Sequence, residues 1–282
     1  MAALPHFVVI NLDRDSDRLA HMQREFDKAG LSFQRFAALK GTELPDDLRA
    51  YFPAAAAGAE AALSAGEIGC YASHLAICKQ MLDGALPAPL CVMEDDIELA
   101  PGFKDLLTDL LGKLPADWDF VRLSNDAKNV VMPVAALTEH YQLVRYSKVP
   151  GSTGASLISR AGAEKFLAAA ARRLPIDQDL KRVWVWKLNM FGVTPAPVRR
   201  DIFDVSSIDA MTDAGFRTKS WRIARLRRSR ATETFARHLQ GVREFGLGRW
   251  LSAEFTNIRA TLTPKRQRAA VLARASQQLA QR

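Results

Sequence analysis

Three acidic residues in a row, Glu94-Asp95-Asp96, follow directly on the apolar run Pro89–Met93. In extended backbone alternate residues share a side, so Glu94 and Asp96 are expected to project together while Asp95 points away. Two carboxylates so placed make a hard, oxygen-rich site of the kind that takes Mg2+ or Mn2+. A cation held there could bridge a diphosphate and act as Lewis acid on its departure. The competing reading is a solvated acidic turn or helix N-terminus, where acids are favoured in any case.

Three further groups could serve the same chemistry. Arg14 and Arg18 lie four apart at the start of a helical pattern, and guanidinium forks suit phosphate. Asp15 and Asp17 could equally balance them on a plain surface helix. Gly66 and Gly69 fall inside the segment GEIGCYASH, where each costs helix stability by roughly 1 kcal/mol against alanine. A neighbouring backbone or a ligand should therefore approach closely, with Ser73 and His74 able to face it; Cys70 reads as a small buried hydrophobe. Late in the same region, Asp177 and Asp179 offer a general base for an acceptor hydroxyl, or Asp177 serves as a helix cap.

The elements that must position these groups alternate. FVVINL at 7–12 predicts a buried strand, followed by a helix with Leu19, Met22, Phe26 and Ala29 at 3–4 residue spacing. Ser16 is its expected N-cap and Gly30 its stop; Phe33–Ala38 then predicts a second strand. Residues 45–62 leave loop and helix both open. Ser64-Ala65-Gly66-Glu67 is a capping-box pattern opening a helix with Ile68, Leu75 and Leu82 inward and an end near Gly84. After the strand into Glu94 come a helix (Phe103, Leu106, Leu107, Leu110), a strand at Phe120–Leu123, an exposed strand at 141–149, a strand at Ala155–Ile158 and a helix across 160–171. This order predicts an α/β fold with an open, mostly parallel sheet flanked by helices, whose ligands bind beyond the carboxyl ends of the strands.

Past residue 215 the pattern turns helical and basic, with Phe235, Leu239 and Val242, then Trp250 or Leu251, Phe255, Ile258 and Leu262, at helical spacing, and Thr263-Pro264 opening a last helix. Residues 216–282 hold 16 Lys and Arg against 3 acidic residues, so the chain's net +8 leaves the preceding body near −5. We divide the chain accordingly into a catalytic region, 1–215, and a basic helical extension, 216–282. Interleaved Trp221, Phe235, Trp250 and Phe255 suit the extension to an anionic lipid surface ahead of nucleic acid, with plain solvated helix faces the competing reading. Cys70, Cys78 and Cys91 have no framework or CxxC spacing and fit reduced thiols. No apolar stretch nears the roughly 20 residues of a membrane span, and the opening lacks the basic start of a secretory signal. A cytoplasmic protein, peripheral on the inner face of the membrane, is expected.

Taken in order, these segments resemble glycosyltransferase family 25, the lipopolysaccharide and lipooligosaccharide glycosyltransferases, which are related to collagen galactosyltransferases. Residues 7–41, with Ala38 and Gly41 matching an Ala-x-x-Gly element, are similar to the family's opening; Leu63–His74 resembles its Gly-Glu-Ile-Gly-Cys-x-x-Ser-His motif, and Met93–Ile97 its Glu-Asp-Asp segment. Gly154–Leu167 with Pro175–Asp177, and Ser206-Ser207-Ile208, resemble its later elements.

The resemblance implies a GT-A-like fold and an inverting, metal-assisted transfer, typically of galactose from UDP-galactose to a saccharide or glycolipid acceptor. It places Asn11, Leu12, Arg14 and Arg18 near the donor nucleotide and lines the site with Ser73 and His74. Glu94 and Asp96 serve ribose and metal (Mn2+ or Mg2+), with Asp95 a substitute; Asp177, then Asp179, is the candidate base. Two alternatives stand beside it: an anionic-lipid- or nucleic-acid-binding protein with a silent transferase-like domain, and a metal-dependent nucleotide-sugar hydrolase.

Overall fold

The first apolar run becomes β1 (His6–Asn11), the centre of three parallel strands. It leads into α1 (Ser16–Ala29), which returns to β2 (Gln34–Ala37) on one side of β1. A single turn, α2 (Asp46–Arg49), precedes the long α3 (Ala65–Leu82) and then β3 (Leu90–Glu94) on the other side of β1. The computed structural model describes residues 3–53, 63–138, 140–200 and 233–280. Ser206-Ser207-Ile208, Trp221 and part of the 45–62 stretch thus lie outside the described residues.

Beyond β3 the chain forms β4 (Ile97–Leu99), α4 (Phe103–Lys113), β5 (Phe120–Arg122), β6 (Val131–Ala136), β7 (Gln142–Tyr146) and β8 (Ala155–Ile158). Then come α5 (Arg160–Phe166), the single turns α6 (Ile176–Asp179) and α7 (Val183–Trp186), β9 (Met190–Thr194) and β10 (Val198–Arg200). Eight strands make one sheet in the order β2-β1-β3-β8-β5-β9-β7-β6, while β4 and β10 form a separate antiparallel pair. Six of the eight run in one direction; β8 and β7 are inserted antiparallel, so the sheet is mixed although mostly oriented one way. Two apolar layers cover it. Phe7, Val9, Met22, Phe26, Leu106 and Leu110 belong to one, and Val8, Val92, Tyr71, Leu75, Cys78 and Phe166 to the other. Successive residues of β1 thus feed opposite faces, as the pleat requires.

Several local expectations hold. Ser64 and Glu67 form the reciprocal capping box at the start of α3, and Gly30 ends α1 in the left-handed region at φ 62°. Others are corrected. The N-cap of α1 is Asp15, without a side-chain cap; the entry is fixed instead by Asn11 Nδ2, which donates to the Asp15 carbonyl oxygen at 3.0 Å. The helix expected across 160–171 stops at Phe166, and Arg172 folds back to donate to the Phe166 and Ala168 carbonyl oxygens. β7 is not an exposed strand: Leu143 and Val144 are fully buried because β6 and β9 flank it.

The basic extension is helical where described: α8 (233–245), α9 (Leu247–Leu262) and α10 (Lys265–Ala280). It is seated on the edge strand β6. Val130, Met132, Ala253 and Leu279 share a small core, and Asn257 Oδ1 and Ser276 Oγ accept from the Val130 and Val131 amides at 2.8 and 3.2 Å. Covering an edge in this way removes a template for unwanted strand pairing. Among the described residues no helix is long and apolar enough to cross a membrane.

Candidate functional site

Asn11, Glu94 and Arg122 end β1, β3 and β5, which point the same way, so all three reach one edge of the sheet. The 151–154 segment enters β8 at that edge. The acidic triplet does not continue the strand alternation. β3 stops at Glu94, the chain bends at 95 and 96, and the three carboxylates part.

Glu94 turns toward the 151–154 segment and β10. Its Oε1 accepts from Thr153 Oγ1 at 2.5 Å, and its Oε2 pairs with the Arg200 guanidinium at 3.2 Å. Asp95 goes the other way: it is buried, with Oδ2 accepting from Asn11 Nδ2 at 2.7 Å and Oδ1 from Arg18 at 3.1 Å. Burial pushes the Asp95 carboxyl up, while Asn11 and Arg18 pull it down. Asp96 lies 3.9 Å from the same Arg18 nitrogen. Glu94 and Asp96 thus have different partners, and Arg18 serves two carboxylates of the chain itself.

The other candidates divide in the same manner. Asn11 is buried and fully engaged, since Arg35 Nε also donates to its Oδ1 at 2.9 Å; Leu12 beside it is half-buried. Arg14 is exposed and lies 3.6 Å from Asp15. Ser73 Oγ is buried, donates to the Gly69 carbonyl oxygen at 2.8 Å and accepts from the Leu39 amide at 2.9 Å. Asp179 is buried with both oxygens taken, by the Tyr71 hydroxyl and by Arg182, each at 2.9 Å. These residues build the site's frame. His74 and Asp177, by contrast, sit with Glu94 in one electrostatic neighbourhood. Burial first, then the Glu94 and Asp177 carboxylates, push the Cys70 thiol well up, with Arg200 opposing; at Arg122 burial is opposed by Tyr146, Asp177 and Glu94. His74 is buried next to Arg122, and burial first, then that cation, lowers its pKa to about 3, so its imidazole is neutral.

Four residues of this neighbourhood escape a reading of the sequence alone. Arg122 ends an apolar strand yet is fully buried, donating to the Ser152 carbonyl oxygen; burial lowers its pKa to about 10, which leaves it charged at neutral pH. Arg200 packs its stem against Gly154, Lys181 Nζ lies over Gly151, and Thr153 holds Glu94. The readable signal was an arginine placed inside a core strand, where a charge persists only with dedicated partners.

Of the two glycines in GEIGCYASH, Gly69 has a backbone explanation. A Cβ at Gly69 would collide with the Leu39 carbonyl oxygen, and one at Gly41 with the Ala65 carbonyl oxygen. Gly69, Ser73 and Gly41 together lock the loop after β2 onto α3. A cleft of about 610 Å3, lined by Arg145, Lys165, Lys187, Asn189 and Arg243 among others, lies between α8 and the body and includes none of the carboxylates just described.

For a divalent cation, Glu94 fits as an oxygen ligand: it is partly exposed at the sheet edge and already oriented by Thr153. Arg122, Lys181 and Arg200 around it suit the negative oxygens of a diphosphate.

The profile of "Glycosyltransferase family 25 (LPS biosynthesis protein)" matches residues 4–180. This chain belongs to glycosyltransferase family 25. The match takes in every element from β1 through α6, and so the acidic triplet, the Gly-Glu-Ile-Gly-Cys segment and Asp177. Among curated relatives, procollagen galactosyltransferase 2 of Mus musculus is 29% identical over 183 residues, 61% of this chain and 29% of that protein. A glycosyltransferase 25 family member of Aedes aegypti is 31% identical over 188 residues, 61% of this chain and 30% of its own. A probable inactive glycosyltransferase 25 family member 3 of Bos taurus is 34% identical over 126 residues, 42% of this chain and 20% of its own. The aligned region thus spans less than a third of each of these family 25 relatives.

Proposed function

We propose that this family 25 chain transfers a hexose from a nucleotide diphosphate-sugar to a saccharide acceptor with inversion. The observation that carries the reading is the gathering, at the carboxyl edge of the sheet, of the Glu94–Arg200 pair, Arg122 at the end of β5, and Asp177, whose Oδ2 lies with Lys181 Nζ beside Gly151. An open sheet binds its ligands there. Galactose from UDP-galactose is the donor we favour, in keeping with relatives named for galactosyl transfer, and a lipopolysaccharide-type glycan the acceptor, in keeping with the family's description.

In this reading Glu94 would hold a divalent cation, which would neutralise charge on the departing diphosphate; Asp96, turned toward Arg18 by the bend after β3, is not its partner in that role. Arg122, Lys181 and Arg200 add fixed positive charge for the same oxygens. Asp177 takes the proton of the acceptor hydroxyl as its oxygen bonds to the anomeric carbon and the bond to the diphosphate breaks. Asp179 is assigned no chemical part, since it is buried, unlike Glu94, with both its oxygens held by Tyr71 and Arg182. Asn11, Arg18 and Asp95 position the exits of β1 and β3.

The extension supports seating on an anionic lipid surface from the cytoplasmic side. Leu247, Leu251, Phe255, Ile258 and Leu262 recur at 3–4 residue spacing along one exposed face of α9, opposite buried Trp250, Ala253 and Asn257. All three carboxylates of residues 233–280 turn inward, Glu233 to Arg182, Glu244 to Arg145 and Glu254 to Arg237. Arg259, Lys265, Arg266 and Arg274 remain exposed, so the outer face combines apolar bulk with positive charge.

A thermal-shift panel of UDP- and GDP-sugars, with and without Mn2+, followed by a transfer assay on the responding donor, tests the reading. Stabilisation by a UDP-sugar that deepens with Mn2+, and product formed only with acceptor, is the expected result. Rapid donor hydrolysis without acceptor would favour a hydrolase, and no response to any donor a silent domain. Sedimentation with phosphatidylglycerol vesicles tests the surface: Phe255→Glu with Ile258→Glu should abolish binding, and unchanged binding would overturn that part.

A further inference from the structure

Cys70 and His74 are four residues apart on α3, hence on one face of it, and that face meets the end of β3. Cys70 Sγ, a ring nitrogen of His74 and a carboxylate oxygen of Glu94 all lie within 4.8 Å of one another. Ligands of a tetrahedral zinc ion stand about 3.5 Å apart, so side-chain adjustments of about an ångström would close the set. A second observation points the same way. His74 is 5% exposed, and its Nε2 is buried without a hydrogen-bond partner. A buried nitrogen left so is uncommon and costly unless something occupies it.

We infer that Cys70, His74 and Glu94 form a metal site selective for Zn2+ or a similar borderline-soft ion. Thiolate, imidazole and carboxylate are its preferred donors, whereas Mg2+ takes oxygen almost alone. Arg122 and Arg200 in the neighbourhood oppose a dication, and the negative charges of a Cys70 thiolate and the Glu94 carboxylate offset the ion's two charges. Binding releases the Cys70 proton to solvent and forms a sulfur–metal bond, with no change of oxidation state. Thr153, bonded to Glu94 Oε1, orients the ligand from outside. Three protein ligands leave a fourth position for water or a diphosphate oxygen, the arrangement of a reactive site more than of a structural one. The inference rests on the transferase reading only for that fourth ligand.

The test uses the full chain, treated with chelator and titrated with Co2+ as a spectroscopic substitute for Zn2+. Expected are a near-ultraviolet thiolate-to-cobalt band saturating at one ion per chain, its bleaching by Zn2+, and its loss in Cys70→Ser. His74→Gln should weaken binding at least as much as loss of an outer partner does, roughly tenfold or more. Circular dichroism of each variant checks the fold, and Cys91→Ser should keep the band. Absence of the band in folded wild-type chain, or its persistence in Cys70→Ser, overturns the site. Sugar transfer by a chain without the band refutes this inference alone; the band in a chain that transfers nothing sinks the transferase reading alone.

Discussion

Asn11 Nδ2 donates to Asp95 Oδ2 at 2.7 Å across 84 residues of sequence, tying the exit of β1 to the bend after β3. Arg18 completes the clamp from α1 by donating to Asp95 Oδ1. The opening Asn-Leu of the chain and its acidic triplet are therefore one structural unit. The placement of Glu94 depends on it.

Arg18 and Arg14 look interchangeable in the sequence and should behave differently. Arg18→Ala strips a mostly buried carboxylate of its cation and is expected to lower stability by about 2–3 kcal/mol. Arg14→Ala, at an exposed position, should stay within about 0.5 kcal/mol. Urea midpoints of the two variants check this; equal effects would remove the clamp from the account.

Gly69→Ala separates helix propensity from packing. Propensity alone favours alanine by about 1 kcal/mol, but the Leu39 carbonyl oxygen occupies the space of the new methyl group. We expect a net loss of about 1–3 kcal/mol. Gly112→Ala in α4, where a Cβ meets nothing within 4 Å, should gain up to about 1 kcal/mol. Thermal midpoints of the pair must move in opposite directions.

These two cases show what the residues alone could and could not disclose. β1, β3 and β5 are short apolar runs buried on both faces, and they read directly as strands. β6 carries Pro133 and a register shift, and β9 carries Gly192, over which the Tyr146 hydroxyl folds, so neither shows a clean pattern. The alternation rule fails at Glu94-Asp95-Asp96 because it holds only while the strand continues, and the bend begins one residue later. Arg122 and Arg200 join the site through pairings between β3, β8 and β5 and between β4 and β10, which are long-range and leave no local spacing to find.

Glu254 couples the extension to the body, and its pH dependence has a definite sign. Burial pushes its carboxyl up, but the hydrogen bond and charge of Arg237 and the charge of Lys148 outweigh that, and the folded pKa falls below 4.5. The stabilisation is thus fully present above the unfolded pKa of 4.5 and is lost as pH falls through the folded value. Glu254→Gln should lower stability by about 1–2 kcal/mol at pH 7 and flatten the decline below pH 4.5. Urea titrations followed by tryptophan fluorescence, with Trp250 buried beside this contact, provide the readout.

Asp177 and Asp179 are two residues apart and should fail for different reasons. Asp177→Asn should reduce turnover by about 10²–10⁴ while leaving donor binding and the melting temperature nearly unchanged. Asp179→Asn should chiefly lower stability, since it disturbs the buried contacts with Tyr71 and Arg182. The reverse pattern would move the base to Asp179.

The central claim is that the Glu94 carboxylate, at the end of β3, is where the donor diphosphate is held. Transfer by purified Glu94→Gln at saturating donor and divalent cation, with circular dichroism to establish folding, tests it most directly. Turnover is expected to drop by at least about 10² in a folded protein. Near wild-type turnover in that variant would contradict the account.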